Sequence, residues 1–64
     1  MANDLIIANE IKAARQKAGL TQVDLHLLLG IPQRTIEAWE TGERTPSKYL
    51  VNLLVFYLEH YKNE

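Results

Sequence analysis

The chain has 64 residues, a formal net charge of −1 and no cysteine. This length predicts one domain over residues 1–64, with a small core that buries only about 60% of the unfolded surface. The lack of cysteine excludes disulfides and thiolate metal sites. With 47% hydrophobic and 23% charged residues the chain is expected to be globular, and association with another chain is its remaining source of extra stability.

The termini and the charge balance give no sign of a membrane or export signal. Residues 1–7 contain an acid, Asp4, and no basic residue, which is unlike a signal peptide. The longest apolar run, residues 53–58, is far shorter than the ~20 residues of a membrane helix. We therefore expect a cytoplasmic protein. Because the net charge is near zero, any argument for nucleic-acid binding must come from the local placement of charged and polar residues.

Glycine and proline divide the chain into four segments of helical length, and none alternates like a strand. The first segment covers about residues 4–18, with Asn3 as predicted N-cap and Gly19 after its last turn. Its predicted apolar face consists of Ile7, Ile11, Ala14 and Ala18.

The second segment begins at Thr21, a good N-cap, and ends at Gly30. Only Gly30 and Ile31 separate it from Pro32, and so short a connection predicts that the two helices cross steeply. Its predicted inner stripe consists of Leu25, Leu28 and Leu29.

The third segment runs from Pro32 to Thr41, with Ile36 and Trp39 facing inward and Gly42 as its stop. The fourth is predicted from Pro46 to about Tyr61. Its predicted core stripe consists of Leu50, Leu53, Leu54, Tyr57 and Tyr61.

Two helices joined by a sharp turn, between two outer helices, are the layout of a helix-turn-helix DNA-binding domain. Over about residues 11–58 the chain resembles the Cro/phage-repressor (XRE-type) family. The resemblance implies an all-α, lambda-repressor-like domain of four to five helices, with the helix-turn-helix at 21–41. It also implies sequence-specific binding to double-stranded DNA as a transcriptional regulator. The residues that carry it are Gly19-Leu20-Thr21-Gln22, Leu25, Leu29-Gly30-Ile31, Thr35-Ile36, Trp39-Glu40-Thr41-Gly42 and Pro46-Ser47.

The third helix is the expected reader of base edges in the major groove. Gln33 suits adenine, Arg34 suits guanine, and Glu37 suits the amino group of cytosine. Ala38 is predicted to touch a thymine methyl, and Thr41 a base or a phosphate. The alternative is an ordinary solvated helix face.

Phosphate contacts are expected around the reading helix. The resemblance implies that Gln22 holds a phosphate, with Thr21 beside it, and Arg44 and Lys48 are further candidates. Their alternative is generic surface charge. The acids at 37, 40 and 43 weigh against tight binding.

The resemblance also implies a structural ion pair between Arg15 and Glu40, with a solvated surface pair as the alternative. His26 departs from the family, which commonly has a small residue there, and it is expected to be half-buried and hydrogen-bonded. Trp39 is expected in the core. No nucleophile with a neighbouring base, glycine-rich phosphate loop or pair of histidines at ligand spacing occurs. The sequence therefore predicts no enzyme, no cofactor and no metal.

The fourth helix has more apolar side chains than one core requires, which predicts an interface. We expect a homodimer that buries Tyr49, Val51, Val55 and Phe56, and Leu58 also lies outside the predicted core stripe. The second helix adds Val23 and Leu27. One alternative is that Leu5 and Ile6 fold over the patch. Another is a protein-interaction module, an antitoxin or adaptor, that binds a different protein.

Overall fold

A computed structural model describes residues 2–61, with side chains from residue 5 onward. The helices are α1 (Ala2–Lys17), α2 (Gln22–Leu29), α3 (Gln33–Thr41) and α4 (Lys48–Glu59), and no strand occurs among residues 2–61. α1 packs against both α3 and α4, while α2 packs against α3. This all-α architecture is the lambda-repressor-like one predicted, with four helices in the described range. None of these helices is long and apolar enough to cross a membrane.

Local hydrogen bonds set the start and end of α2. The Thr21 hydroxyl accepts from the Asp24 N–H, and the Asp24 carboxylate accepts from the Thr21 N–H, each at 3.0 Å. This capping box satisfies two donors at the helix start. At the other end Gly30 adopts a φ of 73°, and its N–H donates to the His26 carbonyl at 2.9 Å. Both ends agree with the sequence prediction.

Four other helix ends differ from the prediction by one to a few residues. α1 begins at Ala2, so Asn3 lies inside the helix and is not its N-cap. Pro32 precedes the first residue of α3 as its N-cap. α4 begins at Lys48 after Ser47 and ends at Glu59.

The core lies where α1 packs against α3, α4 and the loop that follows α1. Ile11, Leu25, Ile36 and Leu58 are fully buried, one from each helix. The predicted face of α1 is confirmed, with Ile7 partly buried against the core. Trp39 also packs partly buried against it, as predicted. The other buried members of this cluster are Ala14, Ala18, Leu20, Val51 and Leu54.

The predicted core stripe of α4 is wrong at three of its positions. Leu50, Leu53 and Tyr57 are exposed, and of that stripe only Leu54 is buried, with Tyr61 partly so. The true buried stripe consists of Val51, Leu54 and Leu58, with Val55 partly buried beside it. Because nearly every position of α4 is apolar, its sequence does not select a face, and the contact with α1 decides which one is buried.

The predicted dimer interface changes accordingly. Val51 is a core residue, and Val55 packs against the core, so neither is free to form an interface as predicted. Tyr49 and Phe56 are exposed. Leu5 and Ile6 are exposed residues of α1, so they do not fold over the apolar patch.

α2 buries less than predicted. Leu25 is its buried residue, whereas Leu28 and Leu29 are exposed. Since α2 is only eight residues long and packs against α3, one leucine faces the core and the others point outward. Val23 and Leu27 are exposed, as expected.

Candidate nucleic-acid interface

A buried ion pair joins α1 to α3. Arg15 Nε lies 2.7 Å from Glu40 Oε2, and Arg15 Nη2 lies 3.0 Å from Glu40 Oε1. The side chains are 10% and 3% exposed, respectively. The third nitrogen, Nη1, donates to the Leu20 carbonyl at 2.9 Å, which ties the α1–α2 loop to the same guanidinium. The contact expected between Arg15 and Glu40 is present, and it is not a solvated surface pair.

Gln22, the first residue of α2, extends this arrangement to a third helix. Its Nε2 donates to Glu40 Oε1 at 3.1 Å, and its side chain is half-buried. Sequence reasoning missed this contact because no spacing rule links residues 18 positions apart. A primary amide has two hydrogens, so one remains for another acceptor after the bond to Glu40. The bond fixes the start of α2 beside α3.

The outward face of α3 is polar. Gln33, Arg34, Glu37 and Thr41 are all exposed, while Ile36 on the opposite side is fully buried. At 100° per residue the four exposed positions fall within one sector of the helix. The structure therefore brings together on one surface four of the five residues predicted to face the bases.

Ala38 lines a depression together with Arg34 and Glu37, and its contact with a thymine methyl stays a prediction. It is 8% exposed, and the loop after α3 folds back onto its backbone carbonyl. The Arg44 N–H donates to the Ala38 carbonyl at 3.1 Å, and the Thr41 hydroxyl donates to the same oxygen at 3.3 Å. This closure holds the backbone of Arg44 beside the end of α3.

One shallow depression collects the charged residues of α3 and its loop. Arg34 and Glu37 line it from the helix, and Glu43 and Arg44 line it from the loop. Two cations and two acids thus share the surface, which limits its positive potential. Lys48 lies elsewhere, in a depression it shares with residues of α1 and with Asn52.

His26 links the two helices of the helix-turn-helix. Its Nδ1 lies 2.6 Å from the Ile31 carbonyl oxygen, and the ring is half-buried, as predicted. Since a carbonyl only accepts, Nδ1 carries the hydrogen. The bond spans the turn at residues 30–32 and helps to fix the start of α3.

Neither a metal cluster nor an unsatisfied polar group appears in the part of the chain whose side chains are described. Residues 5–61 contain no group of three His, Asp or Glu side chains placed to hold an ion. Each buried side-chain nitrogen or oxygen in that range has a hydrogen-bond partner.

Comparison with known families agrees with this geometry. The family model described as "Helix-turn-helix" matches residues 11–55, which is most of the chain and includes α2, α3 and the residues of the buried ion pair. No curated protein and no solved structure gives a significant match.

Proposed function

The chain belongs to the XRE-type, Cro-like helix-turn-helix family, a DNA-binding family, and from this we propose that it is a repressor-like transcriptional regulator that binds duplex DNA sequence-specifically. The observation that supports this most is the polar face of α3, backed by a buried apolar face and an ion pair that fixes the helix. The domain proposed spans residues 1–64, and its place of action is with DNA in the cytoplasm. The proposal includes no catalytic step.

In this proposal α3 lies in the major groove and reads base edges. Gln33 pairs with adenine and Arg34 with guanine, since both side chains form bidentate hydrogen bonds with those bases. Glu37 accepts from the cytosine amino group, and Thr41 contacts a base or a phosphate. All four side chains reach solvent without rearrangement of the core.

Phosphate contacts hold the protein in register. Gln22 offers its second amide hydrogen to a phosphate, and Glu40 orients it through the first. Thr21, Arg44 and Lys48 are exposed and offer further phosphate contacts, from the start of α2, the loop after α3 and the start of α4. Because two acids share the depression with the arginines, we expect moderate affinity with a strong dependence on salt.

The test is selection of bound sequences from random duplex DNA, followed by titration of two arginine variants. Arg34→Ala should relax preference at one base position and cost ~1–3 kcal/mol of binding free energy. Its matched control, Arg44→Gln, should weaken all sequences about equally and reduce the salt slope by about 1. Unchanged affinity and preference in Arg34→Ala would show that α3 does not read the groove in this way.

A homodimer is part of the proposal. Two copies related by a two-fold axis bind two half-sites about 34 Å apart, one DNA turn, and therefore require a palindromic site. The apolar side chains exposed on α4 supply a surface for that association.

A second candidate function is supported by the same apolar surface. Leu27 and Leu28 of α2 and Tyr49 and Phe56 of α4 are exposed, as in a module that binds another protein. Such an antitoxin or adaptor does not bind duplex DNA at any salt concentration. Titration of duplex DNA at two salt concentrations separates the two functions.

A further inference from the structure

An apolar groove lies beside the turn that precedes α3, between the end of α2, α3 and α4. Its volume is about 310 Å³, at the lower end of the range of about 300–1,000 Å³ that small-ligand sites occupy. The lining residues that remain at least partly open to solvent are Leu29, Ile31, Trp39, Leu50, Leu53 and Tyr57. A ligand of modest size in this groove would touch three helices and the turn at once.

The lack of charge distinguishes this groove from the other depressions. The two depressions beside α1 both contain Glu10 and a lysine. The one at the end of α3 contains two arginines, and the one beside Leu27 and Leu28 contains Asp24. In the described chain, every side chain that lines the apolar groove is uncharged. Because a charged ligand would lose water there without gaining an opposite charge, the groove favours an uncharged ligand.

Two aromatic side chains line the groove, one from α3 and one from α4. Trp39 is packed partly buried against the core. Tyr57 pairs with Tyr61, with the ring centroids 6.1 Å apart. Aromatic rings in such walls bind another flat ring by offset or edge-to-face contact, and the indole N–H and the phenol can each hydrogen-bond a polar substituent. The lining therefore suits an aromatic molecule with few polar groups.

The groove takes up only one side of the exposed surface of α4. At 100° per residue, Leu50 and Tyr57 lie about 60° and 40° to one side of Leu53, whereas Tyr49 and Phe56 lie about 40° and 60° to the other. Tyr49 and Phe56 are not among the lining residues. A ligand in the groove therefore leaves Tyr49 and Phe56 free for association with another chain.

We propose that this groove binds an uncharged aromatic small molecule of about two rings. The ligand contacts the chain just before α3, at Ile31, and in the last turn of α3, at Trp39. Ile31 also holds the turn, because its carbonyl accepts from His26. Since the ligand binds only the folded chain, it stabilises the fold. This binding involves no DNA, so it stands or falls independently of the proposed function.

The test uses β-naphthol as the probe, without DNA. The chain has a single tryptophan, so the indole N–H signal of Trp39 in a nitrogen-15 correlation spectrum reports directly on the groove. Titration with β-naphthol should shift this signal saturably, with a dissociation constant of about 1 mM or lower. The melting temperature should rise with probe concentration. β-Naphthoate has the same rings with a carboxylate, and it should bind at least about tenfold more weakly.

Two aspartate variants of α4 provide the matched pair. Leu53 and Phe56 are 64% and 61% exposed, so neither substitution disturbs the core, but only Leu53 lines the groove. Leu53→Asp should weaken β-naphthol binding at least about tenfold, because it places a carboxylate in the groove wall. Phe56→Asp should leave the binding unchanged.

Four results overturn the proposal. β-Naphthol leaves the Trp39 signal unshifted up to its solubility limit. β-Naphthoate binds as tightly as β-naphthol, which means that the groove does not select against charge. Leu53→Asp and Phe56→Asp weaken binding equally, which indicates general adsorption to apolar surface. The Trp39 signal shifts with protein concentration alone, and Leu53→Asp abolishes that shift, which indicates that a second copy of the chain fills the groove.

Discussion

The two helices on either side of the α3–α4 loop differ in what they expose. α3 buries Ile36 and shows solvent the hydrogen-bonding side chains of Gln33, Arg34 and Glu37. α4 buries Val51, Leu54 and Leu58 and shows solvent an apolar face centred on Leu53. Both helices pack against α1, and α3 also packs against α2, so the clearest contrast between them lies in the outward surface.

This difference indicates two kinds of partner. A polar face loses little by staying in water and binds through hydrogen bonds and charge, so its affinity depends on salt. An apolar face gains by leaving water, with about 25 cal/mol for each Å² removed. The face of α3 therefore suits a partner bound through hydrogen bonds and charge, and the outward face of α4 suits a partner bound through burial of apolar surface.

Removal of the Glu40 carboxylate should have the largest effect on stability, because Arg15 links α1 to α3 through it. Glu40→Ala leaves a buried guanidinium with the Leu20 carbonyl as its remaining acceptor. The free energy of unfolding should fall by ~3–5 kcal/mol, measured by denaturant melts.

Glu43→Ala is the control, since Glu43 is an exposed acid of the following loop and its loss should change stability by less than ~0.5 kcal/mol. Equal melts for the two variants would mean that the Arg15–Glu40 pair contributes nothing to the fold. In that case the ion pair would not be what holds α3 against α1.

Two adjacent leucines test which face of α4 is buried. Leu54→Ala should lower the free energy of unfolding by ~2–5 kcal/mol, because it opens a cavity in the core. Leu53→Ala should cost less than ~0.5 kcal/mol at protein concentrations where the chain is monomeric. Thermal or denaturant melts of both variants measure the two losses. Equal losses of unfolding free energy would indicate that Leu53 is buried in the core as Leu54 is.

The smallest expected effect concerns the turn that carries α3. His26→Phe keeps the ring and a similar helix propensity but removes the donor to the Ile31 carbonyl. We expect a loss of ~0.5–1.5 kcal/mol in denaturant melts. His60→Phe is the control, since its Nδ1 also bonds a carbonyl, that of Phe56, but at an exposed helix end. If His26→Phe unfolds at the same denaturant concentration as the unmodified chain, the turn does not need this bond.

Prediction from sequence succeeded for α3 and failed for the packing of α4, and the reason is amphipathicity. In α3 the apolar residues Ile36 and Trp39 stand among polar ones, so their spacing identifies the buried side. In α4 a stripe through Leu50, Leu53 and Tyr57 fits helical periodicity as well as the true stripe does. Of the candidate site, Arg34, Glu37, Thr41 and Arg44 line one depression together with the largely buried Ala38, whereas Lys48 lies apart.

The sequence by itself determined the features that depend on near neighbours along the chain. These are the four helices, the capping box at Thr21 and the ends at Gly30 and Gly42, where left-handed backbone suits glycine. Tertiary structure alone decided which side of α4 faces α1, that Ala38 is covered, and that Gln22 shares the Glu40 carboxylate with Arg15. Such contacts join residues far apart in sequence, and only the packing of the helices brings those side chains together.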